Sequence, residues 1–128
     1  MIVDFTNTTT ELVKFSLDML SMQHKYIANN IANANTINFR TEKVDFDSIY
    51  KELDHKIEND KNIVNTLNEL KSELYSGKYQ IKNNVEGVEL DNEMIGMSKN
   101  TIMYKALLTS LSNRSDFMKI VLTGRSGG

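Results

Sequence analysis

Apolar residues recur at helical spacing in the first third of the chain. One row steps by three or four residues, and a second row runs beside it. The rows are Leu12, Phe15, Met19, Met22 and Tyr26, and Val13, Leu17, Leu20, Ile27 and Ile31. Together they cover more than half of the helix circumference, which is wider than the stripe of a helix packed on a single core. The pattern predicts a helix from about residues 8–10 to Ala34, after a short polar lead over residues 1–8.

A second long helix is predicted at the other end of the chain. Asp91 is a suitable cap, and residues 91–123 would span about 50 Å as a helix. Its apolar row steps by 3 and 4 without a slip through Met94, Met97, Thr101, Tyr104, Leu108, Leu111, Ser115, Met118 and Leu122. So long a regular heptad is typical of a coiled coil. We expect both long helices to carry surplus apolar surface, to need partner chains, and to have poorly ordered ends in the free monomer.

The region between the long helices has a less regular pattern. Residues 35–38 end the first helix, and Asp45 can cap a second, amphipathic one. A break near residues 59–62 leaves two possibilities open, a helical hairpin or one bent helix. Residues 39–44 and 78–87 are predicted to be extended. The sequence therefore predicts a mainly all-α chain: residues 1–34 and 91–128 contain the coiled-coil helices, and residues 35–90 hold a loop, an amphipathic helix and an extended connector.

Composition excludes several classes of function. The 128 residues include no cysteine, so neither disulfides nor thiolate chemistry is available. Fifteen basic and 17 acidic residues give a formal charge of -2, which offers no electrostatic case for nucleic acid. No apolar run approaches the roughly 18 residues of a membrane span, so we expect no direct membrane insertion. The start of the chain lacks the basic leader and apolar run of a secretory signal peptide.

No catalytic or ligand-binding constellation is evident. His24 and His55 are the only histidines, and neither has further metal-ligating residues at suitable spacing. The glycines are scattered and form no phosphate-binding loop. We therefore expect no catalytic residue, no cofactor and no metal. The methionines of the last helix leave two interpretations open, simple core filling or an adaptable interface.

The end of the first helix is unusually rich in asparagine. Residues 28–36 read Ala-Asn-Asn-Ile-Ala-Asn-Ala-Asn-Thr, although asparagine is a poor helix former. One interpretation is a frayed last turn followed by a loop. The other is a packing surface, in which small alanines permit close approach and amides hydrogen-bond across the contact.

This segment resembles the N-terminal signature of the flagellar rod and hook family. Residues 30–33, Asn-Ile-Ala-Asn, match that signature, as do Thr36 and the pair Phe39 and Arg40, but Ile37 and Asn38 replace the usual Pro-Gly. Asn38 is then the residue expected in a glycine-like conformation. Residues 44–46 and 88–94, with Asn100 and Tyr104, are similar to segments of the proximal rod subunits of the B type.

The resemblance implies a structural subunit of the proximal rod of the bacterial flagellar basal body. Such a subunit would polymerise through its terminal helices and would reach the periplasm through the flagellar type III export gate, without a cleaved signal peptide. Its expected partners are other rod subunits, the adaptor protein at the rod base, and the export gate. The alternative is a cytoplasmic helical adaptor or secretion chaperone.

The resemblance and the apolar rows together suggest where neighbours bind. The expected subunit interface comprises Asn29, Asn30, Ile31, Ala32, Asn33, Asn35, Thr36, Met94, Met97, Tyr104, Leu108, Leu111 and Met118. Phe46 and Tyr50 fit the family's export-signal pattern of phenylalanine followed four residues later by an apolar residue. They are equally well explained as anchors of an amphipathic helix.

Overall fold

The structure, a computed structural model, describes residues 2–59 and 62–124 of the chain. Over these residues the backbone forms helices and one small sheet, so the predicted mainly all-α fold is confirmed. The elements in chain order are α1 (Ile2–Ala32), β1 (Glu42–Val44), α2 (Phe46–Asn59), α3 (Ile63–Ser76), β2 (Gln80–Lys82) and α4 (Leu90–Thr123).

The two long helices pack against each other as an antiparallel pair, in the most extensive contact between elements. Near one end, Asn30 Nδ2 donates to Glu93 Oε2 over 3.1 Å. Farther along, Asn100 Nδ2 donates to the carbonyl of Leu20 over 2.9 Å. Residue numbers therefore rise in opposite directions along the two helices.

Both helices begin earlier than the sequence predicts. α1 begins at Ile2, so the expected polar lead is helical and residues 8–10 lie inside the helix. The apolar periodicity marked only the later part of this helix, and tertiary context can override weak helix propensity. Asp91 is not the cap of α4, because Glu93 N–H already bonds to the carbonyl of Glu89 over 3.0 Å. Asp91 and Glu93 instead lie in the first turn, where their charge suits the helix dipole.

The middle region contains two helices rather than one bent helix. α2 and α3 contact each other, and Lys56 Nζ lies 2.9 Å from Glu69 Oε2 between them. Asn62 caps α3 by accepting from the N–H of Asn65 over 3.2 Å. Gly77, with φ of 90°, ends α3 in the left-handed conformation. The pair is a helical hairpin, which settles the alternative that the apolar pattern left open.

The two segments predicted to be extended pair as an antiparallel ribbon. Glu42 lies opposite Lys82, and Val44 lies opposite Gln80. On its other side, β1 is bound to α1, since Val44 N–H donates to Gln23 Oε1 over 2.7 Å. The long helix thereby covers an edge that would otherwise be open to pairing with another chain.

The main hydrophobic core lies between α1 and the middle region. Two residues of the first apolar row of α1 pack there with residues from both hairpin helices and from the sheet. The core consists of Phe15, Met19, Val44, Ile49, Leu67, Leu70, Leu74 and Tyr79. The expectation that α1 needs a partner chain to cover this row is therefore wrong. Residues 35–90 are more regular than their pattern suggested, and their own apolar faces cover it.

Candidate subunit interface

The contact between α1 and α4 is centred on small and polar residues of α4. Asn100 is 6% exposed, and its amide bonds to the Leu20 carbonyl of α1. One turn earlier, a Cβ on Gly96 would lie 3.7 Å from Ile27 Cδ1, so the helices approach closely there. The apolar row predicted from sequence does not include either residue. Asn100 was visible only as part of the family motif, without a structural role.

Large apolar residues are exposed on much of the remaining circumference of α4, among polar residues such as Lys99 and Lys105. Six of them are between 42% and 67% exposed: Leu90, Met94, Ile95, Ile102, Met103 and Leu108. They occur on both flanks of the helix and on the side away from α1. Residues 94–115 also contain three basic and no acidic residues. Exposed apolar residues on several sides of one helix indicate that other elements or molecules cover it.

The predicted interface residues of α4 fall into three groups. Met94 and Leu108 are exposed and available to a neighbour. Met97, Tyr104 and Leu111 are half-buried. Met118 lies in α4 but outside the residues whose side chains the structure describes. The row therefore lies on one flank of α4, because the side that faces α1 is centred on Asn100.

Asn30 is used inside the chain, not at its surface. It is 1% exposed, and its amide forms a two-way pair with the backbone of Glu42: Oδ1 accepts from N–H and Nδ2 donates to C=O, each over 2.9 Å. Nδ2 also donates to Glu93 Oε2. One side chain thus joins α1, β1 and α4. The expectation that its amide bonds to a neighbouring subunit is corrected, because both amide hydrogens and the amide oxygen are bonded within the chain.

The other asparagines of this segment make short-range bonds and remain partly exposed. Asn33 Nδ2 donates to the carbonyl of Asn29 over 2.8 Å, and Thr36 Oγ1 donates to Asn33 Oδ1 over 2.9 Å. Asn29, Asn35, Thr36 and Ala32 are exposed, and Ile31 is half-buried. These residues cap the end of α1 and keep a polar surface on which a neighbour could bind.

The turn after α1 forms without proline or glycine. Phe39 N–H bonds back to the carbonyl of Thr36 over 3.4 Å, and Asn38 has φ of 63°. A positive φ at the third residue is the mark of a type II turn, which favours proline at the second position and glycine at the third. Ile37 and Asn38 occupy those positions. The prediction that Asn38 replaces the glycine is confirmed.

Phe46 and Tyr50 line a groove between α2 and α4. Their rings are stacked with centroids 6.4 Å apart, and Tyr50 is 51% exposed. The groove measures about 550 Å³, and its opposite wall includes Met103 and Leu107 of α4. Phe46 also packs against the main core, whereas Tyr50 is exposed, and the two side chains form one wall of an open groove.

Titratable groups of the described residues serve structural contacts. Burial and a hydrogen bond to Glu73 raise the pKa of Tyr79 well above its ordinary value. Burial opposes the ionisation of Glu73, but the bonds from Tyr79 and Lys78 still hold its pKa below the ordinary carboxyl value.

His24 and His55 are exposed. Across residues 2–59 and 62–124, no group of three or more His, Asp or Glu residues could hold a metal ion, and no helix is long and apolar enough to cross a membrane.

Three curated proteins match the chain over most of its length. The flagellar basal body rod protein FlgB of Bacillus subtilis (strain 168) is 27% identical over 121 residues, covering 91% of this chain and 94% of its own. The protein of the same name from Borreliella burgdorferi is 28% identical over 120 residues, covering 83% and 89%. That from Borrelia hermsii is 29% identical over 132 residues, covering 89% and 95%. No family model matches the chain, and no solved structure matches it.

These matches confirm the resemblance to flagellar rod proteins. The similarity is not limited to the two ends of the chain, where the sequence motifs lie, but extends through the middle region. The middle region is the part that covers α1.

Proposed function

We infer that the chain is a structural subunit of the proximal rod of the bacterial flagellar basal body, in the family of the FlgB rod proteins. The full-length similarity to three such proteins supports this role. The alternative, a cytoplasmic adaptor or secretion chaperone, is not favoured because the relatives are rod proteins. The subunit acts by binding its neighbours and needs no chemistry of its own.

One structural observation carries the mechanism of assembly. α4 exposes apolar residues on both flanks and on its outer side, whereas α1 is largely covered by its own chain. Burying a side chain such as Leu108 or Ile102 in a neighbour's surface contributes about 1.5–3 kcal/mol for each fully buried residue. A few such residues from each of several neighbours suffice to hold a subunit in a polymer.

The same proposal includes the individual partners that the resemblance to the rod family implies. At the base of the rod the subunit contacts the adaptor protein and the export gate, and along the rod it contacts other rod subunits. It crosses the inner membrane through the gate in an unfolded state and assembles in the periplasm without losing a signal peptide. Phe46 and Tyr50 are available to the gate in the unfolded chain and to the groove after folding.

The test is to substitute Leu108→Asp in cells that depend on this chain for swimming. Leu108 is 49% exposed, so the isolated variant should fold normally, but a carboxylate on this flank should block burial against a neighbour. We expect rod assembly and motility to be lost. The measurement is the presence of the chain in isolated basal bodies, together with swimming.

The matched control is Val64→Asp on α3, where the apolar side chain is similarly exposed, at 42%, but lies away from α4. This variant should assemble and swim. Normal basal bodies with Leu108→Asp would count against an assembly role for α4. Absence of the unsubstituted chain from basal bodies would refute the rod assignment itself.

A further inference from the structure

We propose that a second copy of this chain docks one flank of its α4 into the groove between α2 and α4, so that copies join head to tail. The proposal rests on the assignment to the rod and specifies how two copies meet. It requires a receiving surface and an inserted surface on different parts of the same molecule. Both can be identified among the described residues.

The receiving surface is the groove. Its floor is formed by α1, including Met19 and Leu20, and its walls are Phe46 and Tyr50 of α2 and Met103 and Leu107 of α4. Tyr50 and Met103 are 51% and 55% exposed, so the walls are open above the floor. No element of the described chain fills the groove. Most of its lining is apolar, as a helix-binding groove requires, and its polar members are Ser16, Gln23, Lys99 and Asn100.

The inserted surface is the opposite flank of α4, here called the α4 flank and defined by Met94, Thr101, Lys105 and Leu108. At 100° per residue these positions lie close together on one side of the helix. Leu108 lies about 140° around α4 from Met103, by the same helical geometry. The α4 flank therefore cannot enter the groove of its own molecule, but it is free to enter the groove of another.

Charge complementarity selects this occupant. Beyond Tyr50, the exposed surface of α2 carries a ridge of Asp47, Asp54 and Glu58, with Lys51 as its one cation. α4 presents Lys105 beside Leu108 and has no acidic residue over residues 94–115. Among the described residues, neither Asp54 nor Lys105 has an ion pair within the chain. The acidic ridge lies on the α2 side of the groove, whereas Lys99 lies on the α4 side. A helix that carries apolar residues and a basic edge fits against the α2 side, and α4 of a second copy is such a helix.

The placement of the two surfaces determines the kind of assembly. Because the groove and the α4 flank lie on opposite sides of α4, each molecule can receive one neighbour and enter another. Such a contact is heterologous, and unless its rotation closes into a ring it produces an open helical array. This geometry suits a subunit of a helical tube.

The test uses the absence of cysteine from the chain, because every thiol of a variant is then one that was introduced. A chain carrying both Tyr50→Cys and Leu108→Cys replaces the natural subunit in cells. Isolated basal bodies are treated with a mild oxidant and analysed on a non-reducing gel. We expect a reducible ladder of dimers, trimers and larger species, because each copy would be linked to two neighbours.

The control chain carries Lys25→Cys with Leu108→Cys, since Lys25 lies on the exposed outer side of α1. It should give at least fivefold less multimer. In the ladder-forming chain, Lys105→Glu should reduce the ladder at least fivefold, and Asp54→Lys added to it should restore most of the loss. Rescue by charge reversal would not occur if either substitution acted only by damaging the fold.

The outcomes separate the two proposals. If the chain is present in basal bodies but gives no ladder, or gives as much as the control, the docking proposal is overturned and the rod assignment stands. Dimers without larger species indicate a symmetric pair and also overturn it. If the unsubstituted chain is absent from basal bodies, the rod assignment fails and the docking proposal fails with it.

Discussion

The two long helices have nearly the same length, 31 and 34 residues, but opposite surroundings. α1 packs on α4 with one side and on the middle region with another, and its outer side carries exposed polar residues such as Lys14 and Lys25. Among the described residues, α4 makes its extensive contact with α1 and exposes large apolar residues elsewhere. The chain itself therefore covers most of the apolar surface of α1. Much of the apolar surface of α4 stays exposed and is available to other molecules.

The difference arises from the connection that follows α1. After the turn at Asn38, β1 returns along α1 and is bound to it by Gln23 and Asn30. The hairpin of α2 and α3 then covers the same side. α4 comes last in the chain and packs on the remaining apolar side of α1, because the outer side carries polar residues such as Lys14 and Lys25. Its own remaining surface therefore stays exposed in the single chain.

The sharpest test of this comparison is a matched pair of methionines. Met19 of α1 is 3% exposed, whereas Met103 of α4 is 55% exposed. Met19→Ala should lower the free energy of unfolding of the isolated chain by about 2–5 kcal/mol, because it leaves a cavity. Met103→Ala should change it by less than about 0.5 kcal/mol, as expected for an exposed position. Urea unfolding followed by circular dichroism measures both, and equal losses would contradict the assignment of α1 as core and α4 as interface.

The second prediction concerns the asparagines at the end of α1. Asn30→Ala removes three hydrogen bonds and leaves the backbone of Glu42 unpaired, which should cost about 1–3 kcal/mol of unfolding free energy. Asn33→Ala removes only local bonds at a partly exposed position, and about 0.5 kcal/mol is expected. The same urea assay ranks the two variants. A larger loss for Asn33 than for Asn30 would show that Asn30 does not hold the three elements together.

A smaller decrease in the free energy of unfolding is expected at acidic pH. It should arise from Glu73 in α3, one of the two hairpin helices beside α1. The pKa of Glu73 is lower in the folded chain than its ordinary value of about 4.3, since Tyr79 and Lys78 bond to its carboxylate. Its contribution to stability is therefore complete above the ordinary value and is lost as the pH falls through the folded value. Glu73→Gln should reduce this part of the acid dependence. The free energy of unfolding of both chains is measured between about pH 6 and pH 3. If its slope against pH is the same with and without Glu73→Gln, Glu73 does not contribute to the acid dependence.

The smallest effects are expected at the turn that directs β1 back along α1. Asn38→Gly should change the unfolding free energy by less than about 1 kcal/mol, since glycine adopts the positive φ freely. Asn38→Val should lower it by about 1–2 kcal/mol, because a branched side chain is strained there. Thermal unfolding distinguishes the two. Equal stability of both variants would mean that φ at this position does not limit the turn.

Local signals predicted much of the fold. The spacing of apolar residues predicted the two long helices, Asp45 was predicted to cap α2, and its carboxylate accepts from Ser48 N–H over 3.1 Å. Asn38 is marked as a turn residue by its tolerance of the left-handed conformation, and its φ is 63°. α1 and α4 begin at Ile2 and Leu90, earlier than the sequence predicts. Tertiary context decides whether the weakly helical residues at such ends join the helix.

The candidate interface was only partly predictable, for a different reason. A broad apolar surface on a helix indicates that something covers it but does not identify the cover. The first row of α1 and the row of α4 looked equivalent, yet Phe15 is 4% exposed and Leu108 is 49% exposed. The signal that could have separated them is the absence of acidic residues over residues 94–115, which leaves α4 without the mixed charges of an ordinary solvent-exposed helix.

The sequence alone determined the helical class, the two long helices, the left-handed turn at Asn38 and the resemblance to flagellar rod proteins, since these depend on residues close together in the chain. Only the tertiary structure decided that Asn30 binds inward to Glu42 and Glu93, that Asn100 centres the contact with α1, and that α4 keeps the exposed apolar surface. Those features depend on which distant segments meet. Local periodicity carries no information about that, because the same apolar row can be buried by its own chain or by another molecule.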